Sequence, residues 1–113
     1  MSESQITSEF VLWLRTHHPT VLFCATCGGV NASIAQKVKM KREGYNKGIP
    51  DLMFYMARDG SHGLAIEMKT ATGKLSPEQV EWQKRLWAEG WVAKVCRSVE
   101  EAKKVFNEYY DPW

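Results

Sequence analysis

Residues 48–69 read GIPDLMFYMARDGSHGLAIEMK, from Gly48 to Lys69. Two runs of alternating character flank Arg58-Asp59-Gly60-Ser61, and Asp-Gly is a strong short-range hairpin signal. The first run, Asp51 to Met56, puts Asp51, Met53 and Tyr55 on one face of a strand and Leu52, Phe54 and Met56 on the other. The second, Leu64 to Lys69, puts Leu64, Ile66 and Met68 on one face and Ala65, Glu67 and Lys69 on the opposite one. This second run reads as a central strand covered on both sides. Charge in such a strand is costly unless it is paired or used. The hairpin also brings Asp51 toward Glu67.

Those three residue types suit one chemistry. Cleaving a phosphodiester needs a nucleophilic water, charge neutralisation and a stabilised leaving oxygen, and a divalent ion supplies much of this. Mg²⁺ or Mn²⁺ takes oxygen ligands, a few carboxylates completed by water and phosphate. Asp51 and Glu67 are such ligands, and the Met68 carbonyl is a further one. Lys69 lies on the Glu67 face, roughly 6–7 Å along the strand, where it can hold or polarise the attacking water. Taken alone, an Asp after Pro is more often a turn residue, and Glu and Lys two apart are more often a wet strand face.

Outward from the hairpin, the elements follow from periodicity. A first helix is expected over about Ser4–His17, with Ile6, Phe10, Trp13 and Leu14 as its apolar stripe and Pro19 ending it. Val21 to Ala25 reads as a short buried strand, broken by Gly28-Gly29. A second helix, about Asn31–Glu43, has Ala35 and Val38 among its apolar positions, lysines opposite, and Gly44 as its stop. Ser76-Pro77-Glu78-Gln79 starts a third helix with a Ser cap, Pro at the first position and Gln at the third. It runs to about Glu89, with Trp82, Leu86 and Trp87 inward. Trp91 to Cys96 is a strand. Ser98-Val99-Glu100-Glu101 is another capping box, opening a last helix with Val99, Ala102, Val105 and Phe106 inward. The order α-β-α-β-β-α-β-α mixes hairpin and crossover links, which predicts an α/β fold with a mixed sheet flanked by helices.

The bulk numbers bound this reading. A chain of 113 residues makes one domain, 1–113, with a single core. No apolar run approaches the ~18 residues of a membrane span. The polar start Met1-Ser2-Glu3-Ser4-Gln5 is not a signal peptide, so a cytoplasmic protein is expected. The net charge is a mild +2. Its distribution is uneven: Lys37, Lys39, Lys41, Arg42 and Lys47 crowd one stretch against Glu43 alone. That patch suits phosphate contacts, although taken alone it is more often a solvated helix face.

The residues on either side of the hairpin carry a resemblance. Gly48-Ile49-Pro50-Asp51-Leu52, then Glu67-Met68-Lys69-Thr70, then Gly73-Lys74-Leu75-Ser76-Pro77-Glu78-Gln79-Val80-Glu81-Trp82 occur in this order. Gly90-Trp91 and Arg97-Ser98-Val99-Glu100-Glu101-Ala102 follow. The chain from Gly44 onward resembles the VRR-NUC nucleases, a branch of the PD-(D/E)XK superfamily with the restriction-endonuclease-like fold. The resemblance implies a Mg²⁺- or Mn²⁺-dependent endodeoxyribonuclease. Asp51, Glu67, Lys69 and Gln79 would be catalytic, and Glu9, Asp51, Glu67 and Met68 would hold metal. Glu9 matches the family's acidic residue on the first helix, with Glu3 less well placed. Lys37, Lys39, Lys41, Arg42, Lys47 and Lys74 would face DNA. By analogy with stand-alone, Holliday-junction-resolvase-like members, the substrate would be branched DNA and the protein a homodimer acting in repair, recombination or phage replication. No small-molecule cofactor is expected.

Two other function classes fit parts of the sequence. A non-catalytic DNA-binding module would keep the fold, although the intact Asp51, Glu67 and Lys69 argue against it. A sequence-specific restriction-type nuclease would want more chain for recognition. Cys24 and Cys27 after His17-His18 lack the two regularly spaced ligand pairs of a zinc module, so buried free thiols are expected.

Overall fold

The computed structural model describes residues 1–27 and 31–113. Gly28 and Gly29, expected to break the first strand, lie outside the described residues. The elements are α1 (Glu3–His17), β1 (Phe23–Ala25), α2 (Ile34–Arg42), β2 (Leu52–Phe54), β3 (Leu64–Met68), α3 (Pro77–Ala88), β4 (Val92–Cys96) and α4 (Val99–Tyr110). The expected order is the observed one.

One four-stranded sheet runs β1-β2-β3-β4. β1 and β2 pair antiparallel, as do β2 and β3, with Leu52 opposite Ile66 and Met53 opposite Ala65. β3 and β4 are parallel, with Glu67 opposite Val95. A parallel pair needs a crossover, and α3 supplies it. The β2–β3 turn has Asp59 at φ 46° and Gly60 at φ 82°. Two successive positive φ values define a type I′ turn, whose twist matches that of the strands it joins.

The two faces of the sheet are covered differently. Leu52, Phe54, Leu64, Ile66 and Met68 pack with Ile6, Phe10 and Leu14 of α1 and with Ala102, Phe106 and Tyr109 of α4. Rings dominate here: Phe10, Phe54 and Phe106 lie 5.5–6.5 Å apart in tilted and edge-on pairs. The opposite face, with Met53, Ala65 and Ala93, is covered by Leu86 of α3 and flanked by Trp82 and Trp91. Glu67 and Lys69 extend this second face beyond the apolar patch.

Several expectations are corrected. Asp51 sits just before β2 rather than in it. Pro50 has no N–H to give a ladder, and Thr26 takes over the pairing, its N–H donating to the Asp51 carbonyl at 2.9 Å. β1 is shorter than expected and half open, because it forms the sheet edge. α2 buries none of its side chains: Ile34 is 84% and Val38 58% exposed, so the expected apolar side has nothing to pack on. Its start is set by a Ser33–Gln36 capping box. Trp87 is half exposed, its indole N–H donating to the Ala93 carbonyl, and only Leu86 of α3 is fully inside. The Ser98 cap forms, but Glu101 turns to the Arg97 N–H instead of completing the box. Cys96 is buried, whereas Cys24 and Cys27 are exposed free thiols. His18 packs on Phe106 and Tyr110.

Candidate active site

Asp51 and Glu67 meet as the hairpin requires. The β2–β3 register puts Leu52 opposite Ile66, so the next residue outward on each strand is Asp51 and Glu67. Asp51 Oδ2 accepts the Met68 N–H at 2.7 Å, which ties the carboxylate to the strand that carries Glu67. Thr26 holds the other side, its Oγ1 donating to the Pro50 carbonyl at 2.8 Å. Asp51 is therefore fixed by β1 and β3 together.

Glu67 is 2% exposed and Lys69 8%. The Glu67 carboxyl is pushed up to about 9. Burial is the largest cause, followed by its hydrogen bond to Asp51 and the Asp51 charge, while Lys69 pulls the other way. Burial and the neighbouring Asp51 thus hold Glu67 toward its protonated form, with one proton shared by the pair. Two carboxylates this close cannot both ionise without a compensating cation. In an extended strand the N–H and C=O of one residue point the same way. Lys69 N–H bonds β4 at the Cys96 carbonyl, so Met68 directs its own carbonyl to the Asp51 side.

The α1 carboxylate that acts on this pair is Glu3. Its charge adds to the rise at Glu67. Glu3 continues the buried Ile6, Phe10, Leu14 stripe by one turn. Both acids are exposed, but Glu9, the residue expected here, lies one residue, about 100°, round the helix from Phe10. Helical phase separates the two acids.

Gln79 lies at the start of α3, as expected. Its Oε1 accepts the Ser76 N–H at 2.9 Å in the capping box, which leaves its NH₂ as the group to offer elsewhere. One turn on, Gln83 has a buried Nε2 without a partner among the described residues. After Lys69, the loop is pinned by Arg97, whose guanidinium donates to the Thr70 and Gly73 carbonyls at 2.9 and 2.6 Å.

Three contributors were not found in the sequence. Thr26 carries no motif. Arg97 falls within a family stretch that carries no sign of its grip on the loop. Tyr45 is raised above the ordinary tyrosine value, by burial first and then by the Glu67 and Asp51 charges, so the pair's charge reaches it. Its only sequence signal was an aromatic residue shortly before the Gly48–Asp51 turn.

Beyond the pair, a cleft of about 1020 Å³ opens between α2 and α3. Lys37, Lys41, Tyr45 and Lys47 line one wall; Glu78, Glu81, Trp82, Arg85 and Glu89 line the other. The Tyr45–Gly48 loop is fastened to α3. Trp82 Nε1 donates to the Lys47 carbonyl at 3.1 Å, and Lys47 Nζ lies 3.6 Å from Glu78. Gly48 has φ 98°, and a Cβ there would run into the Glu78 backbone. Of the expected DNA-facing residues, Lys37, Lys41 and Lys47 line this cleft. Lys39 pairs with Glu43 at 3.2 Å, Arg42 lies in a shallow depression beside Val38, and Lys74 stands exposed on the loop after β3.

The family model of the VRR-NUC domain matches residues 2–100. A solved structure described as a VRR_NUC domain protein superposes with a TM-score of 0.79 at 24% identity, covering 96% of this chain and 88% of that one. No curated protein matches. A match over residues 2–100 spans most of the 113, and the chain therefore belongs to the VRR-NUC domain family of the PD-(D/E)XK superfamily.

Proposed function

We propose that the protein is a metal-dependent endodeoxyribonuclease that hydrolyses phosphodiester bonds in branched, Holliday-junction-like DNA. The family supports a nuclease-type, DNA-processing module. The observation that carries the catalytic reading is the buried Glu67 set against the half-buried Asp51, with buried Lys69 beside them. Two carboxylates that share a proton are poised to exchange it for a cation. Among the described residues no group of three or more His, Cys, Asp or Glu side chains clusters as a metal cage. A carboxylate pair nevertheless fits Mg²⁺ or Mn²⁺, which takes one or two carboxylates and keeps water and phosphate oxygens for the remaining positions. A softer metal would want sulfur or imidazole.

Asp51 and Glu67 would hold the ion, with the Met68 carbonyl on the same side and Glu3, in place of Glu9, as the α1 contribution. When bound, the ion supplies Lewis-acid neutralisation of phosphate charge and lowers the pKa of water. The chain does the rest. Lys69 holds the attacking water by hydrogen bond and presents its charge to the phosphate. The Thr26 and Met68 contacts keep Asp51 from turning away. Gln79 offers its NH₂ from the α3 start. The lysines of α2 and Lys47 bind flanking phosphates. Cutting two strands of a four-way junction needs two such sites, which a homodimer would provide.

The test is cleavage of labelled duplex, single strand, flap, splayed arm and four-way junction in Mg²⁺, Mn²⁺ or EDTA. Nicks near the branch in either metal, and none in EDTA, are expected. Lys69→Ala should lose cleavage while keeping the native circular dichroism spectrum and DNA affinity. Full Mg²⁺-supported activity in Lys69→Ala would overturn the mechanism.

A further inference from the structure

The cleft between α2 and α3 has walls of opposite character. The α2 side presents Lys37, Lys41 and Lys47. The α3 side presents three carboxylates against the single cation Arg85, with the Trp82 ring among them. A duplex carries phosphates on both of its outer edges, so it would set one phosphate row against Glu81 and Glu89. Like charges brought together across an interface cost several kcal/mol. An unpaired strand is asymmetric: phosphates lie along one edge and bases along the other. Its phosphate edge matches the lysine wall. Its base edge matches the α3 wall, where carboxylates accept from exocyclic amino groups and an indole offers a stacking face. The cleft wall also leads toward the carboxylate pair along the chain: the Tyr45–Lys47 loop that lines it runs through Gly48, packed on the Glu78 backbone, to Asp51.

We propose that the α2–α3 cleft seats an unpaired DNA strand, phosphates on α2 and bases on α3, and delivers it past Tyr45 to the Asp51–Glu67 pair. This rests on the nuclease reading and narrows its substrate: among branched DNAs, a flap or splayed arm with an unpaired strand is preferred over the fully paired four-way junction.

Binding in EDTA separates the two claims, because it needs no cleavage. Fluorescence anisotropy would compare a labelled single strand with a hairpin duplex carrying the same number of phosphates. The native protein should bind the single strand at least about tenfold more tightly, given the cost of like charges on the α3 wall. Glu81→Gln with Glu89→Gln should raise duplex affinity and bring the two substrates together. Lys37→Glu with Lys41→Glu should weaken single-strand binding at least about tenfold, by the loss of phosphate contacts. All four side chains are exposed, so circular dichroism should report native folding in both variants. Equal affinity for both substrates in the native protein, or an unchanged ratio in the glutamine variant, would overturn the cleft assignment. If the ratio behaves as expected but no DNA in the cleavage panel is cut, the cleft stands and the nuclease reading falls.

Discussion

Asp51, Glu67 and Lys69 could be read from sequence because their juxtaposition is local. A two-stranded hairpin with one turn places them together, and strand alternation alone fixes the shared face. The residues that hold them are another matter. Thr26 reaches Pro50 across 24 positions, and no sequence period reports such a contact. The choice between Glu3 and Glu9 turns on helical phase: the Ser2 capping box starts α1 at Glu3, an exposed residue in line with the buried Ile6, Phe10, Leu14 stripe. Glu3→Gln should therefore weaken Mg²⁺ dependence of cleavage by about tenfold or more, the scale for residues supporting a metal site. Glu9→Gln should leave it unchanged. A Mg²⁺ titration of the cleavage rate in the two variants checks this, and the reverse result would return the role to Glu9. Gln83 gives a second test at this scale. A buried donor left without a partner costs about 1–3 kcal/mol, and Met fills similar volume without a polar group. Gln83→Met should raise the urea midpoint. A fall would mean that the amide is paired in solution.

At the scale of elements, helices with an apolar stripe and a cap were legible, and α1, α3 and α4 lie within a few residues of their expected bounds. α2 was legible as a helix but not in its placement. Ile34 and Val38 sit at helical spacing, and that pattern does not distinguish a helix against a sheet from one that stands off it. What anchors this region is the loop after it. Trp82 and Glu78 of α3 hold Lys47, and Gly48 lets the chain pass against the Glu78 backbone. Gly48→Ala would both strain a φ of 98° and push a Cβ into that backbone. A residue forced into such a conformation costs about 1–3 kcal/mol. Since Asp51 lies three residues on, metal affinity should fall together with stability. The check is urea denaturation beside calorimetric Mg²⁺ binding. A variant that loses stability with unchanged Mg²⁺ affinity would show that the loop does not position Asp51.

For the whole molecule, the site sets a term in global stability, because Glu67 is buried in the strand that both layers cover. Its carboxyl rises from 4.5 to about 9 on folding without metal. A raised folded value means that the native state binds the proton more tightly than the unfolded chain. The stability from this group is complete below about 4.5 and is lost as pH climbs toward about 9. Metal-free protein should then lose stability with rising pH across that window, at up to about 1.4 kcal/mol per pH unit for one proton. Glu67→Gln keeps a neutral group at every pH and should remove this slope. A bound divalent cation takes the proton's place, so Mg²⁺ should flatten the dependence and stabilise the protein more at pH 8 than at pH 6, about as the logarithm of its free concentration over Kd. Thermal melts in EDTA and in Mg²⁺ across this range check both signs. A metal-free native protein whose melting temperature does not fall with pH, or a Glu67→Gln variant that falls as steeply as the native protein, would show that the shared proton is not what holds the Asp51–Glu67 pair together.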